Sequence, residues 1–140
     1  MKKASKSYKV IIDTNLWISF LIGKHLSGLQ KYLDNQSIRI ISCNEQLIEL
    51  SEVFKKPKLK KYFSKEQVIE FFELLEDCSE IITLVTKSEI CRDAKDNYLV
   101  SLAIDSCADY LITGDLDLLE LNLVRKTRII KFSELHLIIK

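Results

Sequence analysis

With 140 residues, 47% of them hydrophobic, and a formal net charge of +1, the chain fits one compact domain burying roughly two-thirds of its unfolded surface. Only three glycines and one proline are present, which excludes a low-complexity or fibrous chain. The near-zero charge excludes a global field for nucleic acid, so any such attraction must come from local clusters.

Lys2, Lys3 and Lys6 mark residues 1–8 as a flexible basic arm. Lys9-Val10-Ile11-Ile12 reads as a buried strand, and Leu16, Trp17, Phe20 and Leu21 then recur at helical spacing. A second helix is expected over His25 to Asn35, and a short strand over Ile38 to Ile41, closed by Ser42. Asn44 to Phe54 forms a third helix with Leu47, Leu50, Val53 and Phe54 inward and Ser42 or Asn44 as cap. Pro57 opens a basic linker to Tyr62 that could be helical, and Ser64 with Gln67 resembles a capping box for a helix reaching Glu76. A third strand is expected at Ile81 to Val85, then a loop from Thr86 to Arg92 and a helix from Asp96 to Cys107. A strand at Tyr110-Leu111-Ile112, a short helix at Leu116 to Leu119, a strand at Arg128 to Ile130 and a helix from Ser133 complete the chain.

This alternation predicts a single three-layer α/β/α domain around a parallel sheet of about five strands. In such sheets ligands bind beyond the carboxyl ends of the strands, where strand order reverses. The longest apolar stretch, Leu16 to Ile22, is far too short to span a membrane. That stretch follows Asp13, a residue out of place in a signal peptide's apolar region, so a cytoplasmic location is expected. Cys43, Cys78, Cys91 and Cys107 show no C-x-x-C spacing, and His25 and His136 are remote from them in sequence, which fits reduced thiols better than a zinc site.

The chemistry concentrates in the acids. Asp13 follows one apolar strand and Asp115 follows another, so neighbouring strands would make the two carboxylates converge. Glu49 in the third helix and Asp96 at the start of the fifth could join them. Four such carboxylates form a hard oxygen cage suited to Mg²⁺ or Mn²⁺ rather than zinc. Each acid also has a plainer reading: Asp13 as a helix cap, Asp93 and Asp96 as a capping pair, Asp115 and Asp117 as first-turn acids, and Glu49 as a solvated face residue.

Asp13-Thr14-Asn15 after an apolar strand resembles the opening motif of the PIN-domain nucleases. The stretch from Glu45 to Leu59, Arg92-Asp93-Ala94-Lys95-Asp96-Asn97 followed by Ala103, and the run from Ala108 to Leu119 resemble that family's later motifs. The likeness spans Val10 to about Phe132 in the right order. It is greatest to the bacterial branch of toxin–antitoxin toxin components. The resemblance implies Asp13, Glu49, Asp96 and Asp115 as metal-binding catalytic acids, with Asp117 a fifth. Asn15 and Thr113 would support them. Glu52 and Asp93 rival Glu49 and Asp96, because residues three apart on a helix share one face.

On this resemblance the expected activity is endonucleolytic hydrolysis of RNA with one or two Mg²⁺ or Mn²⁺ ions, leaving 5′-phosphate and 3′-hydroxyl ends. Expected partners are an RNA substrate, a small antitoxin protein and a second copy of the chain, with no membrane. Lys55, Lys56 and Lys58, with Lys60 and Lys61, form a basic run that could hold phosphates, and Tyr62 and Phe63 could stack on bases; Arg92 is another candidate. A solvated linker is the competing reading of the lysines. The competing function is a catalytically silent module of the same fold that binds RNA or scaffolds.

Overall fold

The computed structural model describes residues 7–23, 26–90 and 94–139. The elements run β1 (Tyr8–Ile12), α1 (Thr14–Gly23), α2 (Leu26–Asp34), β2 (Ile38–Ser42), α3 (Asn44–Phe54), α4 (Pro57–Lys60), α5 (Lys65–Cys78), β3 (Ser79–Ile81), a 3₁₀ turn (Ala94–Asp96), α6 (Asn97–Ser106), β4 (Tyr110–Ile112), α7 (Leu116–Leu121), β5 (Leu123–Val124), β6 (Thr127–Ile130) and α8 (Phe132–Ile138). β1 thus starts inside the expected arm, of which residues 1–6 lie outside the described residues.

Successive side chains of a strand point to opposite faces, and here both faces are apolar. Val10, Ile12, Ile38, Ile40, Ile112 and Ile130 enter one core with Trp17 and Phe20 of α1, Leu50 and Phe54 of α3, Phe71 and Leu75 of α5 and Leu135 of α8. Ile11, Ile41, Leu111 and Ile129 enter the other with Leu99, Leu102 and Ala103 of α6 and Leu118 of α7. The result is the expected three-layer arrangement. Among the described residues its sheet has six strands in the order β3-β2-β1-β4-β6-β5. Every pairing is parallel except β5 with β6, so one edge ends in an antiparallel hairpin that the strand count of about five does not include.

Strand order reverses between β1 and β4: β2 and β3 extend one way from β1, and β4 and β6 the other. The register pairs Ile12 with Ile112, which brings the two chain exits level. Asp13 N–H then donates to the Ile112 carbonyl at 3.0 Å, and Thr113 N–H to that of Ile130 at 3.0 Å.

Local signals account for several boundaries. Ser64 Oγ accepts from Gln67 N–H at 3.1 Å and Gln67 Oε1 from Ser64 N–H at 2.8 Å, the reciprocal box that starts α5. α3 departs from expectation: Cys43 is its N-cap, with no side-chain cap, and Ser42 turns its hydroxyl toward Gln46 instead. The expected strand at Ile81 to Val85 is also displaced. β3 ends at Ile81; the Ile82 N–H still reaches the Ser42 carbonyl at 2.9 Å, and from Val85 on the chain turns to α6, where Asp105 Oδ2 accepts from Val85 N–H at 2.7 Å and Thr86 N–H at 3.0 Å. Ser101 Oγ accepts from Ser88 N–H at 3.0 Å, so residues 82–90 form a strap bound side-on to a helix.

Burial pushes the Asp105 carboxyl up, but its bonds from the Thr86 hydroxyl and the Val85 and Thr86 amides outweigh that and hold it below its ordinary 3.8. A depressed acid stabilises the fold above its unfolded pKa and loses that contribution as pH falls through the folded one. Asp105→Ala is expected to cost about 1–2 kcal/mol near neutral pH, charge-assisted bonds being discounted here for exposure. Amide exchange at Val85 and Thr86 should accelerate selectively. Unchanged protection there would show that the strap is held otherwise.

Candidate active site

Asp13 is only 4% exposed although it carries a carboxylate. It is held by two donors: Thr113 Oγ1 donates to Oδ2 at 2.7 Å, and Asn15 N–H to Oδ1 at 3.2 Å. The same Thr113 oxygen accepts from Asp115 N–H at 3.0 Å, so one hydroxyl ties the ends of β1 and β4 together. Asp115 Oδ1 in turn accepts from Asp117 N–H at 2.8 Å. Both aspartates therefore do cap their helices, and capping leaves lone pairs on each carboxylate for a further partner.

Burial raises the Asp13 pKa above 3.8, and the charges of Asp115 and Glu49 raise it further; the Thr113 hydroxyl and Asn15 amide act against them. Three of the four expected acids thus share one electrostatic neighbourhood. Asp13 and Asp115 also line a cleft of about 280 Å³ with Asn15, Leu16, Ser19 and Gly114. Glu49 and Asp96 are not among the residues lining that cleft. Glu49 is half-buried and accepts a hydrogen bond on Oε1 from the Tyr98 hydroxyl, whereas its rival Glu52 is exposed, which favours Glu49. Asp96 occupies the N-cap position of α6, two residues before Tyr98, without a side-chain cap bond, and its Oδ2 is sealed from solvent. Its rival Asp93 lies outside the described residues, as does Arg92.

The donors are all oxygen, which suits a hard cation such as Mg²⁺ or Mn²⁺. Among the described residues no group of three or more acidic, histidine or cysteine side chains is arranged to hold a metal ion. The fit is to a cation that keeps most of its waters and is bound through one or two carboxylates, as Mg²⁺ commonly is. Lys55, Lys56 and Lys58 are exposed at the end of α3 and in α4. Phe63 packs edge-on against Phe54, ring centroids 5.4 Å apart, and so belongs to the core; Tyr62 is 53% exposed. Cys43 is buried, whereas Cys107 is exposed at the left-handed end of α6.

Sequence reasoning missed a polar network behind the acids. Gln46, fully buried in α3, donates from Nε2 to the Ile12 carbonyl at 2.6 Å and accepts on Oε1 from Ser42 Oγ at 2.6 Å. Its spacing with Leu50 and Phe54, two further buried positions four residues apart, is the signal that could have found it. Ser19 sits one helical turn beyond Asn15, so the same rule would have placed it in the cleft. No comparable signal marks Tyr98.

Fold and site together define an α/β/α domain whose acid-lined cleft opens at the switch point of its sheet. Residues 9–117 match the family profile described as PIN domain. An uncharacterized protein of Methanocaldococcus jannaschii, MJ1680, is 34% identical over 143 residues, covering 98% of this chain and 89% of that protein. The crystal structure of VapBC2 from Rickettsia felis bound to a DNA fragment from their promoter holds a chain of similar fold. The TM-score is 0.56 at 19% identity, over 86% of this chain and 96% of that one. The chain belongs to the PIN domain family, whose members are generally nucleases. No helix among the described residues is long and apolar enough to cross a membrane.

Proposed function

We propose that the protein is a metal-dependent endoribonuclease acting in the cytoplasm as the toxin of a type II toxin–antitoxin pair. The observation that carries the catalytic reading is the buried Asp13 carboxylate in electrostatic contact with Asp115 and Glu49 beside an open cleft. Like charges so placed are costly unless a cation offsets them. Asp13 and Asp115 would hold Mg²⁺ or Mn²⁺, with Glu49, Asp96 and Asp117 contributing directly or through water. When bound, the cation would activate a water and offset charge on the phosphodiester. Thr113 holds both strand-end acids in place, and Asn15 and Ser19 present polar groups along the cleft wall. The exposed Lys55, Lys56 and Lys58 are proposed phosphate contacts, as is Arg92.

The toxin reading draws on the motif resemblance and on the fold shared with VapBC2. It implies a small antitoxin partner and admits a homodimer. The decisive experiment incubates mixed structured and unstructured RNAs with Mg²⁺ or Mn²⁺, with chelator, and with an Asp13→Asn control, then sequences the product ends. Metal-dependent cuts bearing 5′-phosphates support the reading; cleavage that survives chelation or the substitution overturns it. The silent-module alternative draws on the lack of a ready three-donor group among the described residues. It requires RNA binding without cleavage in either metal, indifferent to neutralising the acids.

Gly114 offers a narrower test of the cleft. Its φ is not positive, and an added Cβ would meet nothing within 4 Å, so the fold does not require glycine there. Gly114→Ala should leave the melting temperature within about 2 °C, since the methyl fills open space. A methyl in the cleft should lower kcat/KM on RNA by roughly tenfold, through misplacement of the scissile phosphate. Unchanged kcat/KM would remove Gly114 from the substrate path.

A further inference from the structure

Tyr98 stands at the second position of α6, in the layer opposite α3, yet its hydroxyl reaches two elements beyond the sheet's carboxyl edge. It donates a hydrogen bond to Glu49 Oε1 of α3, and lies 2.9 Å from Thr14 Oγ1 at the start of α1. The direction of each bond follows from counting protons. A phenol has one to give, and an ionised Glu49 can only accept. Thr14 must therefore donate to Tyr98, which turns a Thr14 lone pair toward Gln46 Nε2 at 3.5 Å. Gln46 is itself oriented, because its other end accepts from Ser42. The four side chains form one directed relay, Gln46 to Thr14 to Tyr98 to Glu49, anchored on the carbonyl of Ile12 next to Asp13.

We infer that Tyr98 is a positioning residue: its hydroxyl pins one oxygen of Glu49, keeps the other available toward the cation held by Asp13 and Asp115, and ties Glu49 to the end of β1. This rests on the metal-dependent reading of the site. Without the bond, Glu49 is a flexible side chain on α3, free to swing to solvent at the cost of rotamer freedom each time it is recruited. Donors that orient metal-binding carboxylates typically change metal affinity by 10–100-fold when removed.

The test is Mn²⁺ binding to the RNA-free protein, read by calorimetry or spin resonance, beside RNA cleavage. Tyr98→Phe, which removes only the hydroxyl, should weaken Mn²⁺ binding about tenfold. It should lower kcat at fixed metal with KM for RNA unchanged, and excess Mn²⁺ should restore the rate. Excess Mn²⁺ should not rescue Glu49→Gln, and adding Tyr98→Phe to Glu49→Gln should cost nothing more, because the two act as one unit. Thr14→Val should move Mn²⁺ affinity in the same direction and Thr14→Ser should not, which keeps the test open if Tyr98→Phe folds poorly. Mn²⁺ affinity within twofold of wild type in both Tyr98→Phe and Thr14→Val, while Asp13→Asn still abolishes it, would overturn the role of Tyr98 and leave the metal site standing. A wild-type protein that binds no Mn²⁺ would overturn both.

Discussion

Replacing Asp13 with asparagine is expected to abolish RNA cleavage while leaving the metal-free fold as stable as before, or more so. The carboxylate is 4% exposed and its pKa is raised by burial and by Asp115 and Glu49, so its ionised form is disfavoured in the folded protein. Asparagine keeps an oxygen for the Thr113 hydroxyl and loses the bond from Asn15 N–H, a loss that shedding the buried charge offsets. The rate should fall by at least about 10³-fold, equivalent to about 4 kcal/mol of transition-state stabilisation. Mg²⁺ or Mn²⁺ should raise the melting temperature of the wild type and not of Asp13→Asn, since a ligand stabilises only what it binds. A variant that melts far below wild type would mean that Asp13 serves the fold first.

The same residue sets a pH dependence of defined sign. For an acid whose folded pKa is raised, the contribution to stability is full below the unfolded value, here the ordinary 3.8, and is lost as pH rises through the folded one. Metal-free wild type should therefore gain from Asp13 on mild acidification. Asp13→Asn should lack that gain, and bound cation should suppress it. Asp105 works in the opposite sense, so the two variants should alter the stability profile with opposite slopes.

The second large effect is expected at Gln46. Its side chain is completely buried and meets Ile12, Ser42 and Thr14 at once. Truncation removes packing and strands the Ser42 hydroxyl and the Ile12 carbonyl away from water, so Gln46→Ala should cost about 2–4 kcal/mol. Gln46→Glu is the sharper comparison. It replaces the Nε2 donor with an oxygen that faces a carbonyl and brings a negative charge toward the acids, so it should be worse than alanine near neutral pH and recover in acid. Urea titrations of the two variants check both statements. A loss below about 1 kcal/mol for Gln46→Ala, the worth of a single ordinary hydrogen bond, would show that the network carries little.

Much of the scaffold was legible because its signals are local. Alternating apolar strands and amphipathic helices mark both faces of the sheet, and the two strand-end aspartates mark the point where they meet. Residues 82–85 depart from the expected strand for the opposite reason, while 86–90 form the loop expected of them. Ile81, Ile82, Leu84 and Val85 read as strand, but Asp105, twenty residues on from Val85, draws the Val85 and Thr86 amides to α6 instead. β5 escaped because it is two residues long and its turn enters a left-handed conformation at Arg125, with no glycine to signal it. Gln46 shares the spacing of the buried Leu50 and Phe54, but a glutamine at that spacing carries no apolar signal. Tyr98 could not be read at all, since its partners in α1 and α3 become neighbours only once the layers assemble.

The strap beside β3 bears on how this molecule meets others. An open sheet invites a foreign strand to join its border, and natural proteins blunt that invitation. Here one border strand is three residues long and gives way to a segment whose Val85, Thr86 and Ser88 amides already bond Asp105 and Ser101. The other border is a two-residue strand folded back on β6. Among the described residues neither border offers a continuous row of backbone donors, so growth by strand addition finds no template there.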